Sequence, residues 1–372
     1  MKDLRKVSNP YGDSKVIDNC GIFGAMDTSG KVFSGEGVVA ALENMKERGN
    51  GLGGGFAIYG LYPNYAEYYA LHIMFLNEQA CKETEEYLKT HFNIKHTEEP
   101  PTRSNQVPNP PITRLYFAEP KEENFDINDT ADDYTVRHII KINECIDGAF
   151  VFSSGKDMCV FKGVGHPIDI AEHFCLDKYK GYIWTSHSRF PTNTPGWWGG
   201  AHPFSLLDWT VVHNGEISSY GANVRYIEQF GYKCTMQTDT EVIIYAIDIL
   251  MRKHHLSIET VAKIFAAPLW KDIDRMNDPE KIVATALRQV YAPFLLNGPF
   301  TIIIGRTGQM VGLTDRIRLR PLVVGEKDSM LYLSSEQSSI RLVEPNLDRS
   351  YIPAGGVPVI GSLKKPLGAV KV

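Results

Sequence analysis

Cys20-Gly21-Ile22-Phe23-Gly24-Ala25-Met26 is the stretch of sequence that decides the fold. It is a short apolar run closed by Asp27-Thr28-Ser29-Gly30, and this pattern predicts a buried strand followed by a turn. The nineteen residues before it are polar and contain turn signals such as Asn9-Pro10, so they offer little to bury. The folded part of the chain is therefore predicted to begin at Cys20, and residues 1–19 to be a propeptide-like leader.

The position of Cys20 indicates a chemical role. A lone cysteine at the start of a strand is most often a small core residue. Removal of residues 1–19, however, would place the thiol beside a free α-amino group, whose pKa of about 7.7–8.0 makes it a usable base. A nucleophile activated by its own N-terminal amine is an established form of covalent catalysis. Cys20 is therefore a candidate nucleophile that needs no histidine or aspartate partner.

The composition restricts the class of protein. The 372 residues are 43% hydrophobic and 22% charged, which is typical of a globular chain with a large core. The formal net charge of −5 gives no electrostatic footprint for nucleic acid or an anionic membrane surface. No apolar run reaches the roughly 18 residues that a transmembrane helix needs, and the N-terminus lacks the apolar region of a secretory signal. We therefore expect a cytoplasmic protein that binds neither nucleic acid nor membrane.

The six cysteines argue against a metal or redox centre in this chain. They lie far apart, with no C-x-x-C pair and none of the clustered spacing of zinc or iron–sulfur ligands. The triplet Gly53-Gly54-Gly55 lacks the spacing of a phosphate-binding loop. We expect no metal and no cofactor in the chain itself, so a partner would have to supply any redox centre.

The order of predicted elements indicates an α+β fold. Many strands with few crossover helices favour layered antiparallel sheets over a dinucleotide-binding domain. Residues 65–145 differ from their surroundings, because they contain two strand–helix pairs separated by a Pro-rich crossing. The strands are predicted at 65–76 and 113–117 and the helices at 78–91 and 129–145. This order is that of a split βαβ unit, so we predict a small inserted α/β subdomain.

Three other segments carry polar residues suited to a small substrate. Arg189 ends a predicted strand, and its guanidinium fork can grip a carboxylate; an ordinary surface arginine is the alternative. Asn214-Gly215 offers a carboxamide and a backbone N–H for one developing oxyanion, or is a plain type I′ hairpin turn. Asp239 lies within the capping-box pattern Thr238-x-x-Glu241. It either complements the helix dipole or binds a substrate ammonium.

Together these segments resemble the class II, N-terminal-nucleophile glutamine amidotransferases. Arg-Phe-x-Thr-Asn-Thr and Asn-Gly-Glu-Ile are most similar to the glutaminase domain of glutamate synthase. The resemblance covers most of the chain from Cys20 onward and is weakest across residues 65–145. The motifs that carry it are Cys20-Gly-Ile-Phe-Gly24, Ser188-Arg-Phe-Pro-Thr-Asn-Thr194, His213-Asn-Gly-Glu-Ile217 and Thr238-Asp-Thr-Glu241.

The resemblance implies the four-layer αββα fold of that superfamily, with residues 20–372 as one amidotransferase domain. It assigns Cys20 as the nucleophile, its freed amine as the base, and Asn214 with the Gly215 N–H as the oxyanion hole. The substrate-binding residues that it implies, for the carboxylate, the ammonium and the walls of the glutamine pocket, are Arg189, Thr192, Asn193 and Asp239.

Further segments shared with the family are interpreted as parts of the fold and not of the reaction. They include Arg48-Gly49 after the first helix and Ser334-Ser335-Glu336 near the C-terminus. The chain also departs from the family in two places. Residues 218–223 lack the Arg-Gly-Asn that follows Asn-Gly-Glu-Ile in many glutamate synthases. Residues 1–19 precede the nucleophile, and while they remain attached the amine base is absent and the site is blocked.

The resulting hypothesis is a glutaminase subunit that converts L-glutamine to glutamate and ammonia through a Cys20 thioester. The ammonia is expected to pass to a separate, glutamate-synthase-like subunit, which would hold FMN and iron–sulfur centres. Two alternatives remain open. One is another N-terminal-nucleophile amide hydrolase, and the other is a non-catalytic regulatory or scaffold subunit with an unprocessed Cys20.

Overall fold

The structure, a computed structural model that describes residues 20–104, 107–191 and 196–364, combines antiparallel sheets with α-helices. The strands are β1 (Gly21–Asp27), β2 (Phe33–Ser34), β3 (Gly54–Tyr59), β4 (Tyr69–Phe75), β5 (Phe92–Glu98), β6 (Ile112–Pro120), β7 (Ala149–Ser153), β8 (Met158–Gly163), β9 (Lys180–Gly181), β10 (Ile183–Ser188), β11 (Phe204–Leu206), β12 (Trp209–Gly215), β13 (Phe300–Arg306), β14 (Gln309–Thr314), β15 (Val323–Lys327), β16 (Met330–Ser334), β17 (Arg349–Tyr351) and β18 (Val359–Ser362). The α-helices are α1 (Glu36–Glu43), α2 (Glu78–His91), α3 (Ala131–Cys145), α4 (Pro167–His173), α5 (Tyr220–Ile227), α6 (Asp239–Ile247), α7 (Ile258–Phe265), α8 (Trp270–Ile273), α9 (Asp278–Val290) and α10 (Gln337–Val343). Across these described ranges, no helix combines the length and the apolar character that crossing a membrane requires.

β1 lies in the middle of a seven-stranded antiparallel sheet with the order β17-β15-β16-β1-β10-β3-β8. All seven of its residues are buried, because both faces of the strand are covered. Ile22 and Met26 belong to the core between the two large sheets, while Phe23 and Ala25 belong to the core beneath the helices. The continuous apolar run after Cys20 is thus a strand buried on both sides, as predicted.

A five-stranded sheet with the order β11-β12-β13-β14-β18 packs face to face on the first. The interface is apolar and includes Ile183, Val212, Ile303 and Met310. α1, α4 and α10 pack on the seven-stranded sheet, and α6, with α5 beside it, packs on the five-stranded one. The layers run helix, sheet, sheet, helix, which confirms the predicted α+β fold.

The segment predicted as an insertion forms a separate sheet with the order β5-β6-β4-β7, in which all neighbours are antiparallel. α2 and α3 pack on this sheet, so its chain order is that of a split βαβ unit. Two details differ from the prediction. β5 directly follows α2, where the sequence predicts no strand, and β7 extends the sheet past residue 145. The predicted leader, residues 1–19, lies outside the described residues.

Candidate active site

Cys20 lies directly before β1, with its side chain held at the end of the adjacent strand β10. The Phe190 N–H donates a hydrogen bond to Cys20 Sγ at 3.3 Å, and Arg48 Nε donates to the Cys20 carbonyl oxygen at 3.2 Å. Burial raises the pKa of the Cys20 thiol, although the Phe190 N–H and the Arg189 charge oppose this effect. Only the thiolate is a strong nucleophile, so this thiol needs a base beside it.

The segment Ser334-Ser335-Glu336 supports the nucleophile from the neighbouring strand β16. Ser335 Oγ accepts a hydrogen bond from the Ile22 N–H at 3.2 Å. Glu336 forms an ion pair with Arg48 at 2.9 Å, and Arg48 in turn holds the Cys20 carbonyl. The sequence identified this motif but not its place at the site, because the contacts join residues about 300 positions apart in the chain.

Asn214 and Gly215 end β12, and Gly215 pairs with Phe300 of β13. They are therefore not the two central residues of a hairpin turn. Gly215 has φ = +153°, and a Cβ at this position would lie 2.1 Å from the Pro299 carbonyl oxygen, so the backbone geometry requires glycine. Asn214 is 1% exposed. Its Nδ2 donates a hydrogen bond to Ser335 Oγ at 3.4 Å, and its Oδ1 is buried with no partner among the described residues.

Arg189 follows β10 and is 3% exposed. Its backbone N–H donates to the Gly53 carbonyl oxygen at 2.8 Å, and a Cβ on Gly53 would lie 2.9 Å from Arg189 Cδ. Burial lowers the pKa of the guanidinium, while Cys20 and Asp239 act in the opposite direction. The surface alternative for Arg189 is therefore wrong, because this cation is enclosed by the protein.

Asp239 is the first residue of α6. Its Oδ2 accepts a hydrogen bond from the Ile217 N–H at 2.9 Å, and its Oδ1 lies 3.5 Å from His213 Nδ1. Burial acts to raise the pKa of the carboxyl, but His213, the Ile217 N–H and the Thr240 hydroxyl together hold the pKa below its usual value. Asp239 is thus ionised at neutral pH, and it lines the same cavity as Arg189.

These residues line one cavity of about 480 Å³. It brings together Cys20, Gly215, Arg189 and Asp239, with residues 216–218, 220 and 221 also contributing to its lining. Asn214 joins the group through Ser335, which contacts both its carboxamide and the strand of the nucleophile. Thr192 and Asn193, the other two predicted pocket residues, lie outside the described residues. Within the described ranges, no cluster of three or more His, Cys, Asp or Glu side chains is arranged to hold a metal ion.

Three buried histidines, His187, His202 and His213, lie together at the wall of the cavity. The rings of His187 and His202 stack with centroids 4.1 Å apart, and His187 Nε2 lies 2.9 Å from the His213 carbonyl oxygen. Burial lowers the pKa of His187 to about 3 and that of His202 well below its usual value. Both rings are neutral at physiological pH and support the wall of the cavity. Nothing in the sequence pattern marked His202, which also lines the cavity.

Thr238 caps α6, because its Oγ1 accepts a hydrogen bond from the Thr240 N–H at 3.3 Å. The predicted capping box is wrong in its second half. Glu241 does not return to Thr238 but accepts hydrogen bonds from the Thr235 and Met236 N–H groups, each at 2.9 Å. This carboxylate therefore fixes the segment that leads to Gln237, which lines the cavity.

Comparison with known proteins agrees with this class of site. Residues 77–350, more than half of the chain, match the family described as class II glutamine amidotransferases, and the chain belongs to that family. It is 58% identical over 349 residues to a protein of Archaeoglobus fulgidus that carries no functional name, covering 93% of this chain and 92% of that protein.

Two further relatives carry functional names. A provisionally named glutamine amidotransferase of Methanothermobacter thermautotrophicus is 28% identical over 350 residues, covering 91% of this chain and 99% of that protein. A glutamine–fructose-6-phosphate aminotransferase (isomerizing) of Acinetobacter baylyi is 28% identical over 177 residues, covering 48% of this chain and 24% of that enzyme. The match thus spans about a quarter of the length of the Acinetobacter enzyme.

Proposed function

We propose that this protein hydrolyses L-glutamine to glutamate and ammonia through a thioester at Cys20, after removal of residues 1–19. The observation that carries the proposal is the single cavity shared by Cys20, Gly215, Arg189 and Asp239. A buried cation and a fixed carboxylate complement the carboxylate and the ammonium of an α-amino acid. The thiol and the Gly215 backbone are the groups that cleavage of a side-chain amide requires.

The proposed reaction proceeds in two halves. The free α-amine of Cys20 accepts the thiol proton as Sγ attacks the glutamine Cδ, and the carbonyl oxygen becomes an oxyanion between the Gly215 N–H and the Asn214 carboxamide. Collapse of this intermediate breaks the C–N bond, and the leaving nitrogen takes the proton back as ammonia departs. Water then adds to the thioester with the same amine as base, and glutamate leaves as Sγ is protonated again. This hydrolysis uses no metal or cofactor in this chain.

We further propose that the ammonia passes to a separate, glutamate-synthase-like subunit in the cytoplasm that holds FMN and iron–sulfur centres. The support is the similarity of the Arg189 and Asn214 motifs to glutamate synthase; the named relatives do not specify this acceptor, since the Acinetobacter enzyme is an aminotransferase of fructose 6-phosphate. Purified alone, the chain should hydrolyse glutamine but form no glutamate from 2-oxoglutarate and a reductant. Formation of glutamate from 2-oxoglutarate by the chain alone would contradict the need for a partner.

Arg189→Ala is expected to raise the glutamine KM roughly 10- to 150-fold with a smaller effect on kcat. Hydrogen bonds to charged groups are worth about 1.5–3 kcal/mol, and here they would be lost from the substrate carboxylate. Steady-state release of ammonia measures the effect. Arg341→Ala, at an exposed position on α10, is the matched control. An unchanged KM in Arg189→Ala would favour the alternative of an amide hydrolase that acts on peptides or acyl-amides.

The active protein is expected to begin at Cys20. Attached to residue 19, the Cys20 nitrogen is an amide and cannot accept a proton, so a chain that retains residues 1–19 should be inactive. Intact mass spectrometry and N-terminal sequencing of the purified protein test this directly. Quantitative retention of Met1 to Asn19 in the native protein would favour the regulatory or scaffold alternative.

A further inference from the structure

Lys162 is a charged side chain that the proposed reaction does not use. It lies on β8 and is 1% exposed, although lysine is almost never fully buried unless its charge is compensated. Nζ donates a hydrogen bond to the Gly199 carbonyl oxygen at 3.0 Å. It also lies over the rings of Phe152 and Phe204, 4.8 and 4.2 Å from their centroids. The protein thus encloses the ammonium and directs it at one backbone carbonyl.

The Gly199 carbonyl belongs to a loop that lies beside the Arg189 side chain. A Cβ on Gly200, the next residue, would lie 3.3 Å from Arg189 Nη1, so the loop passes close against the guanidinium. Two residues further on, His202 lines the active-site cavity. The hydrogen bond from Lys162 therefore fixes the distance between this loop and the group proposed to bind the substrate carboxylate.

Glu241 is a second buried charged residue close to the site. It lies on α6, two residues after Asp239, and its carboxylate accepts hydrogen bonds from Thr235, Met236 and the Tyr245 hydroxyl. Lys162 and Glu241 line the same small internal cavity of about 10 Å³. Attraction between their charges acts to raise the pKa of Lys162 and to lower that of Glu241. The two side chains share no hydrogen bond, and their charges attract each other across this cavity, between the strand that holds the Gly199 loop and the helix of Asp239.

We infer that Lys162 is a positioning residue for glutamine binding, and that with Glu241 it sets the separation of Arg189 and Asp239. The inference rests on the proposed function, because it assigns those two residues to the substrate carboxylate and ammonium. Lys162 contacts neither the substrate nor the reacting atoms in this role. Its loss should weaken glutamine binding and leave the chemistry at Cys20 unchanged.

The charge on Lys162 gives this role a dependence on pH. Burial lowers the pKa of Lys162 to about 7, with Glu241 opposing the shift and Arg189 adding to it. The protonated form donates a charge-assisted hydrogen bond to Gly199 and adds positive potential beside the substrate carboxylate. Glutamine should therefore bind more tightly below about pH 7, and its KM should rise as the pH increases through that range.

The histidines that face Lys162 do not explain such a dependence of KM on pH. His72 on β4 and His202 both face it, and burial lowers the pKa of His72 to about 4 and that of His202 well below its usual value. Both rings are therefore neutral on either side of pH 7. The Arg189 guanidinium remains charged, and burial raises the pKa of Glu241, which makes a Glu241 variant a necessary part of the test.

The test uses the processed chain carrying Lys162→Met, which keeps most of the side-chain volume without the charge. The glutamine KM at pH 6.5 is expected to rise about tenfold, with kcat within about twofold of the wild-type value. The increase of KM through pH 7 should disappear. Lys156→Met, at an exposed lysine before the same strand, is the matched control. The rate of Cys20 alkylation by iodoacetamide without glutamine should not change, because the thiol and its support are intact.

Glu241→Gln provides a second variant. It replaces one carboxylate oxygen with an NH₂ group, which cannot accept the hydrogen bond of the backbone N–H that it faces. It should raise KM in the same way, and the double variant should show less than the product of the two single effects, because the residues act as a pair. Failure of Lys162→Met to fold leaves Glu241→Gln as the deciding variant. Normal KM values in the folded variants would overturn the inference about Lys162 and leave the proposed function intact. Absence of glutamine hydrolysis by the processed wild-type chain would overturn the proposed function itself.

Discussion

Cys20→Ala, introduced into a chain produced without residues 1–19, is expected to lower glutamine hydrolysis by at least about 10⁴-fold. The reason is that the reaction has no route without the thioester, and loss of a nucleophile in comparable acyl-transfer enzymes costs up to about 10⁶-fold in kcat. The loss should come from the chemistry and not from the fold. The thiol lies at the start of β1 and keeps partial exposure to the cavity, so its removal should change the free energy of unfolding by less than about 1 kcal/mol.

Release of ammonia and the thermal unfolding temperature should be measured on the same preparation. Cys145→Ala is the matched control, because Cys145 is exposed at the end of α3 and should be replaceable without effect. Trapping the reaction by rapid acid quench should show a mass increase corresponding to a glutamyl group on the wild-type chain and none on Cys20→Ala. Substantial hydrolysis by Cys20→Ala would place the nucleophile elsewhere.

The central part of the fold could be predicted because its signals are local. The run from Gly21 to Met26 is apolar without interruption, and such a run of six residues bounded by turn signals is typical of a strand covered on both faces. β5 could not be predicted in the same way. It begins at Phe92, directly after α2 ends at His91, so no glycine or proline marks the boundary. Its residues alternate between buried or half-buried and exposed positions because one face of the strand, with Phe92 and Ile94, packs on the hydrophobic core.

The candidate site shows the same division between local and distant information. Arg189, Asn214 and Asp239 each have an ordinary alternative in the sequence, and it was their combination with Cys20 that indicated a glutamine site. Ser335, Glu336 and Lys162 depend on contacts that the chain order does not reveal. A lysine within a strand is most often directed at solvent, and the environment of Lys162 is closed by Phe152 of the inserted sheet and by Phe204 of the five-stranded sheet.

Asn214→Ala is expected to lower kcat about 10²- to 10³-fold with little change in the glutamine KM, as removal of one oxyanion donor does in other acyl-transfer enzymes. This role depends on the orientation of the carboxamide. Ser335 Oγ already accepts the Ile22 N–H, so its own proton is available to donate to the Asn214 carboxamide oxygen. The structure directs Nδ2 at Ser335 Oγ and leaves Oδ1 without a partner among the described residues. A flip of the carboxamide exchanges its two ends, so that Oδ1 accepts the Ser335 proton and Nδ2 can donate to the oxyanion. The Gly215 N–H is unaffected, which is why some activity should remain.

Two further variants separate this role from a structural one. Asn214→Asp should be more severe than Asn214→Ala, because it places a negative charge beside the developing oxyanion. Ser335→Ala should be milder than Asn214→Ala, because the carboxamide remains but loses the contact that orients it. Each variant should be compared in kcat, KM and thermal unfolding temperature, since Asn214 is buried and an unpaired Ser335 would cost about 1–3 kcal/mol of stability. A raised KM with normal kcat would instead make Asn214 a ground-state binding residue, because an oxyanion donor acts only in the transition state.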